Sequence, residues 1–189
     1  MLNKLSIRQK ILIAPGLAVV GFCVVFVVTF YLGSLTARQL QRVQTGYYPS
    51  VELSQSLGIT LSAIQRGLQD AASASNRDGL RDVDTLRDTF MQTLSNAQDN
   101  PVLDRGELGK LGSEMEDYYK TARATTEKMI TNPSDESLSE ALNSMREKYL
   151  SIRDKLEANN ARDRAAIAKA FDDTRISQYY ALVFMGLAT

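Results

Sequence analysis

From Ile11 to Ala37 the chain carries no charged residue and is strongly apolar, and this stretch is preceded by Lys4, Arg8 and Lys10. A helix needs about 20 predominantly apolar residues to cross the hydrocarbon core of a bilayer, and this run supplies them. Whatever else the chain folds into must therefore be built beside a membrane. A cleaved signal peptide has a shorter apolar region, of about 7 to 15 residues, ending at a small-residue site. Here the run passes into Ser34, Leu35 and Thr36 without an A-x-A pattern. The sequence predicts a cytoplasmic N-terminus over 1–10 and an uncleaved membrane helix over 11–35. Pro15 and Gly16 are compatible with such a helix, because neighbouring groups satisfy the backbone they free.

At the other end, the residues from Ile176 to Thr189 are also uncharged. They are too few to span a bilayer, so residues 177–189 are expected to begin a second membrane helix. Tyr179 and Tyr180, like Phe30 and Tyr31, suit the membrane–water interface. Lys4, Arg8 and Lys10 outweigh Arg38 and Arg42, which favours a cytoplasmic N-terminus and places 36–176 outside the cytoplasm. The expected location is a bacterial inner membrane, with the intervening segment in the periplasm or outside the cell and the bilayer as one partner.

Lysines and arginines number 22, as do aspartates and glutamates. Without the three N-terminal bases the remainder is slightly acidic, which argues against nucleic acid as a partner. There is no histidine, and the single cysteine, Cys23, lies inside the first apolar run. An intrachain disulfide is impossible. Histidine-ligated haem, a Glu-x-x-His di-iron site and Ser-His-Asp or Cys-His catalysis are excluded. Most enzyme readings end there, and no enzyme activity, metal or cofactor is expected. Asp78, Asp82, Asp84 and Asp88 lack calcium-loop spacing and read as a solvated helix face balanced by Arg77, Arg81 and Arg87.

Between the two apolar ends, hydrophobic residues recur at three- and four-residue steps in four stretches. These are Leu57, Leu61, Ile64, Leu68 and Ala71, reaching back to Leu40 and Val43; Leu80, Val83, Leu86, Phe90, Leu94 and Ala97; Leu108, Leu111, Met115, Tyr118, Ala122 and Met129; and Leu138, Leu142, Met145, Tyr149, Ile152 and Leu156, continuing through Ala166 and Ala170. The breaks at 73–79, 98–106 and 131–137 are rich in Gly, Pro, Asn, Asp and Ser, the residues of helix ends. Short connections between amphipathic helices make antiparallel neighbours. The predicted fold is all-α: an up-down-up-down antiparallel four-helix bundle over 36–176 with membrane-spanning helices at both ends. The first and last helices outrun the middle pair, leaving Val43, Tyr47, Ile167 and Phe171 half covered, and a parallel homodimer would bury them.

A membrane helix, about 140 residues in four helices, the element Tyr47-Tyr48-Pro49 soon after the first span, and a returning membrane helix together resemble the four-helix-bundle sensor region of methyl-accepting chemotaxis proteins. The resemblance implies a receptor that binds a small-molecule ligand or a periplasmic binding protein outside the membrane. It also implies that the receptor passes a small helix displacement inward to a HAMP linker and signalling module. Related bundles serve as inputs to sensor histidine kinases and diguanylate cyclases, and a membrane-anchored structural bundle without a small ligand is a third expectation. Gly46 and Pro49 interrupt the helical rod and read as a packing kink.

Arg66, Gln69, Arg87, Tyr118, Arg146 and Tyr149 fall at similar heights when counted from the distal loops. Guanidinium and phenol groups suit a small carboxylate, so these are the candidate ligand-binding residues; the competing reading is solvated charge. Lower down, Asn159 and Asp163 lie on inward positions level with Ser50 and Ser54. A buried polar layer of this kind sets helix register or oligomer state at a cost in stability.

Overall fold

A computed structural model describes residues 7–187 of the chain. The fold is all-α, with no strand among the described residues. Helix α1 covers Ile7–Arg42, α2 Tyr48–Ser73, α3 Gly79–Asn96, α4 Arg105–Thr131 and α5 Leu138–Leu187. A five-residue π-helical turn, Val43–Tyr47, joins α1 to α2, and a short 3-10 turn, Ala97–Asp99, follows α3. The chain divides into two compact units. One comprises Met1–Gln41 and Ala168–Thr189, and the other Arg42–Ile167.

Within Arg42–Ile167, four helices contribute to one core. Leu57, Leu61, Ile64 and Leu68 of α2 lie in it with Phe90 and Leu94 of α3, Met115, Tyr118 and Ala122 of α4, and Ile152 and Leu156 of α5. The apolar recurrence therefore corresponds to one buried stripe per helix. Exceptions fall at the ends of the pattern. Leu40 is exposed and precedes this unit, while Leu142 is exposed at the rim of a distal cavity beside Leu68 and Met129. Of the residues expected to be half covered, Val43 is fully buried within the single chain and Phe171 is exposed. Val43 belongs to the π turn, whose Gly46 is packed by Val102 of the α3–α4 loop.

Local chemistry fixes the helix ends. α2 closes with Asn76 N–H on the Ala71 carbonyl and Ser75 N–H on that of Ala72, with Ser75 in the left-handed region at φ 49°. This pair of bonds is the Schellman arrangement, which glycine usually completes. α4 opens on Asp104, whose carboxylate accepts the Glu107 N–H at 2.9 Å. That contact satisfies one of the donors a helix start leaves unpaired. α3 returns along α2 at close range, since a Cβ on Gly67 would lie 2.8 Å from Val83 Cγ2. A side chain at 67 would force the two helices apart.

In the other unit, one helix near the N-terminus is long and apolar enough to cross a membrane, and none of its apolar window is buried. Phe22, Phe26, Val27 and Phe30 are exposed along it. The backbone of α5 is helical to Leu187. The expected second span over 177–189 rests mostly on side chains outside the described residues, as does residues 1–6 of the expected cytoplasmic N-terminus.

Candidate functional site

On the outer side of α2 and α5 lies an open groove of about 730 Å³. Gly58 and the buried Leu156 form its apolar floor, Ile59 is exposed beside them, and Arg66, Arg153 and Arg164 stand along it with Glu157. The groove exists because α2 presents small residues at four-residue steps, Ser54, Gly58 and Ser62, before Arg66. On α5, Arg153, Glu157 and Ala161 share a helical face by the same spacing. Gln55, Asn160 and Ser62 add neutral hydrogen-bonding groups.

The three arginines are not equivalent. Arg153 is engaged, with Nη2 on Asp154 at 2.9 Å and Nε on Glu157 at 3.6 Å. The hydrogen bond it donates to Asp154 raises its pKa. Arg66 and Arg164 form no ion pair with any described residue. A groove with an apolar floor, neutral donors and two uncommitted guanidinium groups offers planar, charge-assisted recognition of a carboxylate or a similar anion.

The candidate ligand residues do not converge on one site. Arg66 lines this groove, whereas Gln69 lines a distal cavity of about 290 Å³ between α2, α4 and α5. Tyr118 is buried in the core, its ring 6.0 Å from that of Tyr149. Burial, with Tyr149 beside it, pushes the Tyr118 phenol pKa up, and its hydroxyl makes no hydrogen bond to a described residue. Arg87 is committed on the α3–α4 side, where it holds Asp88 at 2.6 Å and Glu116. Arg146 is exposed. Counting residues from the loops gives a height but not a helical face, and these residues fall on different faces.

The polar layer is tighter. Ser50 and Asp163 are buried and the Ser50 hydroxyl donates to Asp163 Oδ2, while Arg162 Nε reaches Asp163 Oδ1 at 3.3 Å. Ser54 is buried at the edge of the groove. Asn159 is half-buried and lines a separate cavity of about 200 Å³ with Lys155 and Glu114.

The acidic face of α3 also has structural partners. Asp84 accepts from the Tyr119 hydroxyl and from Arg123 Nε at 3.1 Å, and Arg123 Nη1 reaches Glu127 at 2.5 Å. Burial first, then the Asp84 hydrogen bond, raises the Tyr119 pKa. The two bonds to Asp84 lace α3 to α4. Among the described residues no group of three or more Cys, Asp or Glu is arranged to hold a metal ion.

No protein-family model, curated protein or solved structure matches the chain. The groove residues that sequence reasoning missed are Arg153, Arg164, Gln55 and Asn160. Their signal was the four-residue spacing of small and polar groups on α2 and α5, which becomes a groove only when those two helices are known to be neighbours.

Proposed function

We propose that the chain is the extracytoplasmic ligand-sensing and transmembrane signalling region of a bacterial receptor of the methyl-accepting chemotaxis type. On this reading α2, α3, α4 and α5 form an up-down-up-down antiparallel bundle, tethered by α1 in the inner membrane and returning to it through the end of α5. The bundle lies in the periplasm or outside the cell, and two copies stand in parallel. The observation that carries the reading is the α2–α5 groove, with Arg66 and Arg164 unpaired above an apolar floor, on a helical unit that follows a membrane-length apolar helix.

The two groove helices are also the two that approach the apolar ends of the chain. A ligand that binds one packing of α2 against α5 better than another shifts the balance between them by its differential affinity. Signalling requires no bond making by this region.

The test is thermal unfolding of the full chain in lipid nanodiscs against a panel of amino acids, organic acids and neutral metabolites. A compound that binds only the folded state raises the midpoint. The expected hit carries a carboxylate, and its effect disappears in Arg66→Ala combined with Arg164→Ala. A panel with no saturable shift, on a folded chain, would favour a structural bundle instead.

A further inference from the structure

The helical backbone does not wind evenly where α1 gives way to α2. Over Val43–Tyr47 it opens into the π turn, with Tyr48 N–H bonded to the Val43 carbonyl. Pro49 explains the opening. Proline has no N–H to donate, and in an α-helix its ring collides with the carbonyl four residues earlier, here that of Thr45. A wider turn relieves the collision, but it leaves a weak point in the rod.

The loop between α3 and α4 closes on that point. Asn100 Nδ2 donates to the Gly46 carbonyl at 2.9 Å, and the same amide's Oδ1 accepts Val102 N–H at 3.0 Å, so the side chain is fixed at both ends. Val102 fills the notch that glycine leaves, because a Cβ on Gly46 would lie 2.5 Å from Val102 Cγ1. Gly46 is buried as a result. Asn100 and Val102 thus bring the loop between the end of α3 and the start of α4 onto the proline-interrupted turn, with Asn100 54 positions from Gly46 along the chain.

We propose that Asn100 and Val102 act as a splint: they keep the helix stiff across Pro49, and a shift of α3 or α4 that lifts them off Gly46 releases a hinge at 43–49. Stiffness of the helix between α1 and α2 then depends on how α3 and α4 are packed, which gives the fold a mechanical switch that does not require a ligand in the α2–α5 groove. The inference goes beyond the sensor reading and stands or falls separately from it.

The experiment uses the full chain in nanodiscs, in a Cys23→Ala background, with nitroxide labels attached through Arg42→Cys and Ser56→Cys on either side of the turn. Pulsed electron resonance reads the spread of the label–label distance. The expected result is a narrow distribution that broadens about twofold in Asn100→Ala/Val102→Ala and narrows again when Pro49→Ala removes the break. An unchanged width after loss of both splint residues would overturn the proposal, as would a parent distribution that is already broad or a failure of Pro49→Ala to restore the narrow one. If the double variant loses its helical circular dichroism, Gly46→Ala supplies the second arm, because its methyl group displaces Val102 while leaving the loop sequence intact. The same broadening is expected there, and an unchanged width would again overturn the splint.

Discussion

Ser50 on α2 and Asp163 on α5, 113 positions apart in sequence, hydrogen-bond to each other in the interior, where Ser50 is 0% and Asp163 1% exposed. A buried carboxyl deprived of a partner costs far more than the net value of the bond it loses. Ser50→Ala is therefore expected to lower unfolding stability by about 1–3 kcal/mol. The check is a double-mutant cycle in urea. Ser50→Ala with Asp163→Ala should cost less than the sum of the single changes by about 0.5–3 kcal/mol, and strict additivity would show that the two side chains act independently.

Tyr118 makes the opposite case, since its hydroxyl is buried without a hydrogen bond to any described residue. Its ring, packed against Tyr149, contributes to the core, while its oxygen is desolvated without return. Tyr118→Phe is expected to be neutral or to stabilise by up to about 1 kcal/mol, measured as a denaturant midpoint. A loss of more than that would mean the hydroxyl has a role the packing does not reveal.

Ser75 closes α2 in the left-handed region, where a Cβ is disfavoured. Ser75→Gly should raise stability by about 1 kcal/mol, provided the flexibility it adds to the unfolded chain does not cancel the gain. Thermal unfolding at fixed lipid composition reads the change.

At the start of α5, the Ser137 hydroxyl and then its N–H donate to Asp135 Oδ1 at 2.7 and 2.9 Å and hold that carboxyl below its usual pKa. A carboxyl depressed by folding supports the folded state above its unfolded pKa of about 3.9 and loses that support as pH falls through the lower folded value. An NMR titration of the Asp135 carboxyl should show a midpoint below the ordinary carboxylate range. In Ser137→Ala, which removes the hydroxyl donor, the midpoint should move up.

How much of this was legible in the sequence differs by element. The four apolar stripes and the breaks after Ser73, Asn96 and Thr131 could be read because helix period and turn chemistry are local properties. The Ser50–Asp163 level could be read too, since inward polar positions on two helices can be counted from their loops. Helical phase around the axis is harder to count. Counting from the loops puts Arg66 and Arg87 at similar heights, but one lines the groove and the other is ion-paired to Glu116. Gly46 and Pro49 announced an interruption, yet whether it becomes a kink or a wide turn clasped by Asn100 depends on a loop more than 50 positions away. The groove was least legible, because the four-residue spacing on either helix alone reads equally well as a solvated face.

The central claim is that Arg66 and Arg164 hold an anionic ligand above the α2–α5 floor. Its most direct test is a calorimetric titration, into the full chain in nanodiscs, of the carboxylate that gives the largest thermal shift. Saturable binding to the wild-type chain is predicted, weakened by about tenfold or more in Arg66→Ala/Arg164→Ala, as the loss of charge-assisted hydrogen bonds requires. Equal affinity in the wild type and the double variant would contradict the account.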